Sequence, residues 1–200
     1  MKMTDGGFNV IRNSFGSLSQ DAVDNINLIV ETCEKYDLSY PQTAYVLASI
    51  AWETARTFKA IEEYGKGKGR KYGTWYTNSK GQTYGIAGSD GSTYLYSDYP
   101  HLYYGRGHTQ NTWLDNYKYI KQRTGVDVVN NPNLLLDSKL SIDVTVLALK
   151  GGWYTGKKLS DYINESKKDF IGARRCVNGV DKNKEIADIA VIMEKALRSY

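Results

Sequence analysis

The chain has 200 residues, the size of one ordinary domain, which buries roughly 70% of its extended-chain surface without a metal or disulfide staple. Hydrophobic residues make up 41% of the sequence, which excludes a disordered protein. The balance of 26 basic and 22 acidic residues, formally +4 with a pI near 8.8, tolerates an anionic partner but lacks the concentrated basic tract of a dedicated nucleic-acid binder.

Met1 to Phe15 carries Lys2, Asp5, Gly6 and Gly7 and has no apolar core of a signal peptide. No run approaches the roughly 18 apolar residues of a membrane span. The expectation is synthesis in a bacterial cytoplasm, with release by other means if the protein acts outside. Ala22, Ile26, Ile29, Val30 and Cys33 recur at steps of three and four from Ser19 to Tyr36, which predicts an amphipathic helix. Ser39-Tyr40-Pro41 is a helix start, and the Ala-rich segment from Gln42 to about Phe58 predicts a second helix in close contact with others.

Organisation changes at Glu62. Gly, Tyr, Ser and Thr dominate from there to Gly107, with turn sequences at Asn78–Gly81 and Gly88–Ser92 and strand candidates at Thr74–Thr77 and Thr93–Tyr96. A loop-rich excursion this long inside a compact domain is expected to line a site. Helices are predicted again over Thr109–Thr124 and, after the Asn130-Asn131-Pro132 break, over Asp137–Lys150, where Gly151-Gly152 stops the chain. Leu159–Ile163 is a short turn, and Lys167–Val177 and Lys182–Leu197 are the last predicted helices. The reading is a mainly α fold, helical and bundle-like, over a single domain of residues 1–200, with a loop-rich insert around residues 64–107 holding a candidate β-hairpin.

Composition adds two hints. Tyr contributes 17 residues and Trp four, against four Phe, which suits surfaces that hold sugar rings or stacked bases. Cys33 and Cys176 fall at apolar positions of helical segments and read as buried thiols; His101 and His108 are the only imidazoles, so neither a metal nor another cofactor is expected.

Three features carry candidate chemistry. Glu53 lies between Ala51-Trp52 and Thr54-Ala55, and desolvation of a carboxyl among small residues favours the protonated form that can donate to a leaving group. The bland reading has it in solvent or paired with Arg56 or Arg70. Glu62 and Glu63 follow nine and ten residues later, and a second carboxylate is what glycosidic hydrolysis needs beside an acid. Tyr103-Tyr104-Gly105-Arg106-Gly107-His108-Thr109-Gln110-Asn111-Thr112-Trp113 sets two glycines around an arginine, followed by hydroxyl and amide groups able to bind a hydroxyl or a water. It is equally a tight turn with a helix cap. The Lys66–Lys71 run with Tyr72, Trp75 and Tyr76 could stack single-stranded nucleic acid, but a basic run in a Gly-rich loop is more often a solvated face.

Ala51–Ala55, Ile61–Gly65, Tyr103–Trp113, Gly151–Gly156 and Arg174–Gly179 together resemble the glycoside hydrolase family 19 chitinases and, more closely, the related phage and bacterial endolysins. The resemblance implies a lysozyme-like α+β fold and an inverting hydrolase without cofactor. On it, Glu53 matches the general acid and Glu63, preferred over Glu62, the general base. Thr112, Gln110, Asn116, Asn178, Tyr104 and Arg106 match residues that position water or substrate, and Trp75, Tyr72, Trp113 and Tyr103 supply stacking surfaces. Trp52 stands where endolysin-like relatives commonly have His. An inverting pair of carboxyls is separated by about 6.5–9.5 Å. The expected partner is the glycan of peptidoglycan, cut by a monomer that binds no nucleic acid, does not insert in the membrane, and reaches the wall through a holin pore or a secretion machine. Chitin, or glycan binding without catalysis, are the alternatives.

Overall fold

The computed structural model describes residues 1–67 and 102–200, together with the backbone of residues 86–87 and 93–94. In chain order come α1 (Asp5–Phe15), α2 (Gln20–Lys35), α3 (Tyr40–Glu53), β1 (Ile61–Glu62), β2 (Ile86–Ala87), β3 (Thr93–Tyr94) and β4 (Arg106–Gly107). They are followed by α4 (Leu114–Thr124), a 3-10 turn (Pro132–Leu136), α5 (Ser138–Gly151) and a second such turn (Leu159–Asp161). The chain ends with β5 (Ile163–Asn164), β6 (Lys167–Lys168), a third 3-10 turn (Gly172–Cys176) and α6 (Asn183–Leu197). The fold is mainly helical with a small hairpin in the insert, where β2 pairs antiparallel with β3 through Ile86↔Tyr94 and Ala87↔Thr93. The strand candidate Thr74–Thr77 lies outside the described residues.

Two compact units form, one from Met1–Lys59 with Ile142–Tyr200 and the other from Ala60–Ser141. In the first, α3 is the central element, buried without interruption from Thr43 to Ala51. A helix apolar on every side needs partners all round, and α2 and α6 both pack against it. Its start is specified locally: the Ser39 side chain accepts from Gln42 N–H, the Gln42 side chain accepts from Ser39 N–H, and Pro41 occupies the first turn. Around it lie Ile26, Ile29 and Val30 of α2, Ile142, Val146 and Leu149 of α5, and Ile186, Ala190 and Met193 of α6, all buried.

No helix is predicted for the amino terminus, yet one forms there. Thr4 caps α1, and Phe8 and Ile11 are buried. Gly6-Gly7 reads locally as a helix breaker, but here it serves packing: a Cβ on Gly7 would sit 2.5 Å from the Ala196 carbonyl oxygen, so only glycine admits the end of α6 so closely.

Three predicted helix boundaries move, each for a local reason. α3 stops at Glu53, five residues short of the expected end. Thr54 turns its hydroxyl back onto the Ile50 carbonyl at 2.7 Å, while Ala55 N–H bonds to Trp52 O and Arg56 N–H to Ala51 O. That is a Schellman termination built without glycine, with Ala55 and Arg56 at φ of 49° and 66°. The helix expected from Thr109 starts only at Leu114, because Arg106 and Asn111 exchange backbone hydrogen bonds and fold the intervening residues into a turn. The helix expected over Lys167–Val177 is a strand and a 3-10 turn. Asp169 Oδ1 accepts from Gly172 N–H at 2.7 Å, a side-chain bond that competes with helical pairing.

Cys33 and Cys176 are buried and unpaired, and burial pushes each thiol up to about 12. Among the described residues, no helix is long and apolar enough to cross a membrane.

One ion cluster makes a measurable statement about this unit. The buried Glu194 carboxylate accepts from Lys168 Nζ at 2.9 Å and from Arg198 Nε and Nη2 at 3.1 and 3.0 Å. Burial alone would raise this carboxyl, but the bonds and charges of Lys168 and Arg198 outweigh it and hold the group below its ordinary value. A carboxyl depressed in the folded state contributes stability above its unfolded value and loses it as pH falls through the folded one. Glu194→Gln is therefore expected to lower stability at pH 7 by about 1 kcal/mol, since both cations are half exposed, and to flatten the loss of stability below about pH 4.5. Urea unfolding from neutral pH to pH 3 measures both effects.

Candidate active site

The first unit contributes Glu53, the last residue of α3. Arg174 Nη1 donates to its Oε1 at 3.0 Å, and Arg174 Nε donates to the Asp181 carbonyl at 3.1 Å. The guanidinium is almost wholly buried while the Glu53 side chain keeps 22% of its exposure, so the pair has a dry side and a wet side. Oε2 of Glu53 makes no hydrogen bond among the described residues. Neither Arg56 nor solvent alone is the partner, and Arg70 lies outside the described residues. Arg174 went unassigned at the sequence level, although it opens the Arg174–Gly179 stretch. Asn178 follows one turn later, exposed, with its Oδ1 accepting from Gly179 N–H at 2.8 Å. Trp52, half-buried, lines a cavity of about 330 Å³ with Ala51, Ala55, Arg56 and Ile189.

The second unit contributes the two adjacent glutamates. β1 and β4 pair antiparallel through Ile61↔Gly107 and Glu62↔Arg106, and Glu63 N–H continues the pairing to Gly105 O at 2.8 Å. Successive residues of an extended segment point to opposite faces, so Glu62 and Glu63 enter different surroundings.

Glu62 meets Tyr104. The Tyr104 hydroxyl donates a short hydrogen bond to Glu62 Oε1, and Lys66 Nζ lies 3.9 Å from the same oxygen. Behind Tyr104 lies Arg106, wholly buried, with its guanidinium 3.6 Å from the centroid of the Tyr104 ring and 5.9 Å from that of Tyr117. Arg106 donates to Leu102 O, Tyr104 O, Tyr117 Oη and Asn133 Oδ1 at 2.8–3.2 Å. Burial pushes the Tyr117 phenol up to about 12 against the pull of the Arg106 charge.

Glu63 meets Gly105. Its Oε2 accepts from Gly105 N–H at 2.9 Å. A Cβ at Gly105 would lie 2.7 Å from Gln110 Oε1, 3.3 Å from Glu63 Oε2 and 3.3 Å from Thr112 Cγ2, so these three side chains converge where the glycine has none. Gln110 Nε2 donates to Ile61 O and Gly107 O at 2.9 and 3.1 Å, which fixes the amide with its oxygen toward that point. The loop that delivers Gln110 runs through left-handed backbone at Gly107 (φ 92°) and at Gln110 itself (φ 52°). Ser141 Oγ accepts from His108 N–H at 2.8 Å and lies 2.8 Å from His108 Nδ1, which anchors the same loop.

The remaining sequence candidates separate by exposure. Tyr103 is wholly buried, donates to Val129 O at 2.9 Å and meets Tyr117 edge-on, which corrects the expectation that it stacks on a sugar. Tyr104 and Arg106 are likewise buried and act behind the surface. Asn116 is exposed and uses its amide to donate to Thr112 O at 2.7 Å. Trp113 is half exposed. Tyr72 and Trp75 lie outside the described residues. Among those described, no group of His, Cys, Asp and Glu could hold a metal ion.

No protein-family model and no curated protein matches this chain. Among solved structures, chitinase C from Streptomyces griseus is similar to it with a TM-score of 0.56 and 18% identity, over 98% of this chain and 70% of that one. A bacterial family 19 chitinase is similar with a TM-score of 0.47 and 19% identity, over 98% of this chain and 87% of its own. The first likeness is one of fold, and it gives the chain the mainly helical, lysozyme-like architecture of a chitinase. It also corrects the expected partner, since this solved structure alike in fold is a chitinase and lends peptidoglycan strands no support.

Gly105→Ala tests the convergence directly. The added methyl meets an amide that two carbonyls hold in place, so relief requires breaking those bonds. The expected loss is about 1–3 kcal/mol of stability. Gln110→Ala in the same chain is expected to recover part of it, as a double-mutant cycle in urea reads out.

Proposed function

We propose that the chain is a glycoside hydrolase that cuts the β-1,4 bonds of N-acetylglucosamine polymers, with chitin as the substrate class. The observation that carries this reading is the convergence of Glu63, Gln110 and Thr112 on Gly105, within a chain whose fold is like that of a chitinase. A carboxylate and a fixed amide oxygen held at one point, beside a hydroxyl-bearing residue, are groups that can orient a water and accept its proton.

In this mechanism Glu63 is the general base. Its Oε2 is tied to Gly105 N–H, Gln110 Oε1 is the further acceptor for the water, and Thr112 turns its methyl toward Gly105. The bond that Glu62 Oε1 accepts from Tyr104 favours Glu63 over Glu62 in that role. Glu53 is the general acid. Arg174 holds Oε1, so the proton for the glycosidic oxygen is carried on Oε2. Once that proton has left, the charge-assisted bond from Arg174 is at its strongest, which favours the transition state over the ground state. Attack by water on the face opposite the departing oxygen inverts the anomeric carbon.

Glu53→Gln and Glu63→Gln are each expected to lower the rate on chitin hexamer at least about 100-fold with the fold retained, whereas Glu62→Gln stays within about tenfold of the parent. Proton NMR of the first products should show the α-anomer. Equal loss from Glu62→Gln in a folded protein would move the base to Glu62. A wild-type protein that leaves the hexamer uncut would end the reading.

A further inference from the structure

We infer that Tyr64 is a sugar-stacking residue, paired with Trp113 as an aromatic platform beside Glu63. The ligand class, a β-1,4-linked N-acetylglucosamine oligomer, rests on the function proposed above.

Tyr64 and Trp113 are the large apolar side chains that the second unit leaves exposed among its described residues, at 102% and 49% of full exposure. A fully exposed aromatic ring gains nothing for folding. Both are placed by the same point in the fold. Glu63 and Thr112 are two of the side chains that meet at Gly105, and Tyr64 and Trp113 are their immediate successors in the chain.

Each ring also stands on a fixed mount. Before Tyr64, Glu63 N–H is bonded to Gly105 O; after it, Lys66 N–H returns to Glu63 O at 3.0 Å, and Gly65, Lys66 and Gly67 all have left-handed backbone. Trp113 donates its N–H to Tyr103 O at 2.9 Å and its carbonyl accepts from Asn116 and Tyr117, although its φ of 76° and ψ of 134° are unfavourable for any residue with a side chain. Strain of this kind costs about 1–3 kcal/mol and persists where function requires a particular aim for a side chain. A fixed backbone lowers the entropy lost on binding, and the flat, weakly polar face of a phenol or indole suits the axial C–H face of a pyranose.

The test is calorimetric titration of chitin hexamer into Glu53→Gln protein, which prevents turnover, carrying Tyr64→Ala, Tyr64→Phe or Trp113→Ala. Tyr64→Ala and Trp113→Ala are each expected to weaken binding roughly tenfold, and Tyr64→Phe, which keeps the ring, to stay within about twofold. Thermal unfolding of each variant checks that the fold is kept. Unchanged binding by folded Tyr64→Ala overturns the assignment, as does a parent that does not bind the hexamer at all. Binding with the expected ranking by a protein whose wild type never hydrolyses the hexamer would keep the platform and remove the proposed activity.

Discussion

A guanidinium with no carboxylate in direct contact among the described residues organises the second unit. Taking Arg106 out of water is expensive, and the surrounding chain is arranged to meet it. Four neutral oxygens, from Leu102, Tyr104, Tyr117 and Asn133, accept its N–H groups, and two phenol faces lie against its charge. Those partners come from the segment leading into β4, from α4 and from the 3-10 turn at Pro132–Leu136. Local segments with no regular structure in common are therefore tied at one point. An apolar side chain at that position could fill the space, but it would not dictate where two carbonyls, a hydroxyl and an amide must point.

The same charge explains why two adjacent glutamates do different work. The strand period of two sends Glu62 and Glu63 to opposite faces. Glu62 takes the Tyr104 hydroxyl, whose ring lies against Arg106, so its negative charge answers the buried positive one through a phenol. Glu63 is left on the side where Gly105 removes a side chain and Gln110 and Thr112 close in. One carboxylate balances the interior; its neighbour accepts a backbone N–H from Gly105. In the first unit the division of labour is different. Arg174 is buried too, but its charge is answered directly by Glu53, so one contact both neutralises the guanidinium and orients the carboxyl.

Much of this was legible in the sequence where local chemistry and tertiary packing agree. Ser19 and Ser39 cap α2 and α3 as their neighbours suggest, and the 3.6-residue period places the buried faces of α2 and α6. The hairpin in the insert also forms, and its second strand, Thr93–Tyr94, falls within the candidate Thr93–Tyr96. Legibility fails where a residue serves a distant partner. Gly6-Gly7 looks like a breaker until the carbonyl of Ala196 is known to lie against it. Ala55 at positive φ ends α3 with no glycine to announce it. Tyr103 has the composition of a sugar platform, yet its ring is spent on Tyr117 and its hydroxyl on Val129. Arg174 needed the partner across 121 residues of sequence to become a site residue.

Substrate is the property that composition served least well. A charge of +4 over 200 residues was an argument for an anionic wall polymer, but charge of that size speaks to encounter rate and solubility rather than to the bond being cut. The groups that converge on Gly105 speak to it more directly. They are a carboxylate, an amide oxygen and a hydroxyl-bearing side chain, with half-exposed indole beside them, and none is a cation placed to recognise an acidic substituent. Among the described residues, Arg106 is engaged inside the unit and Lys66 lies toward Glu62. The proposed substrate, a neutral N-acetylglucosamine chain, asks for hydrogen bonds and flat apolar faces rather than for a cation.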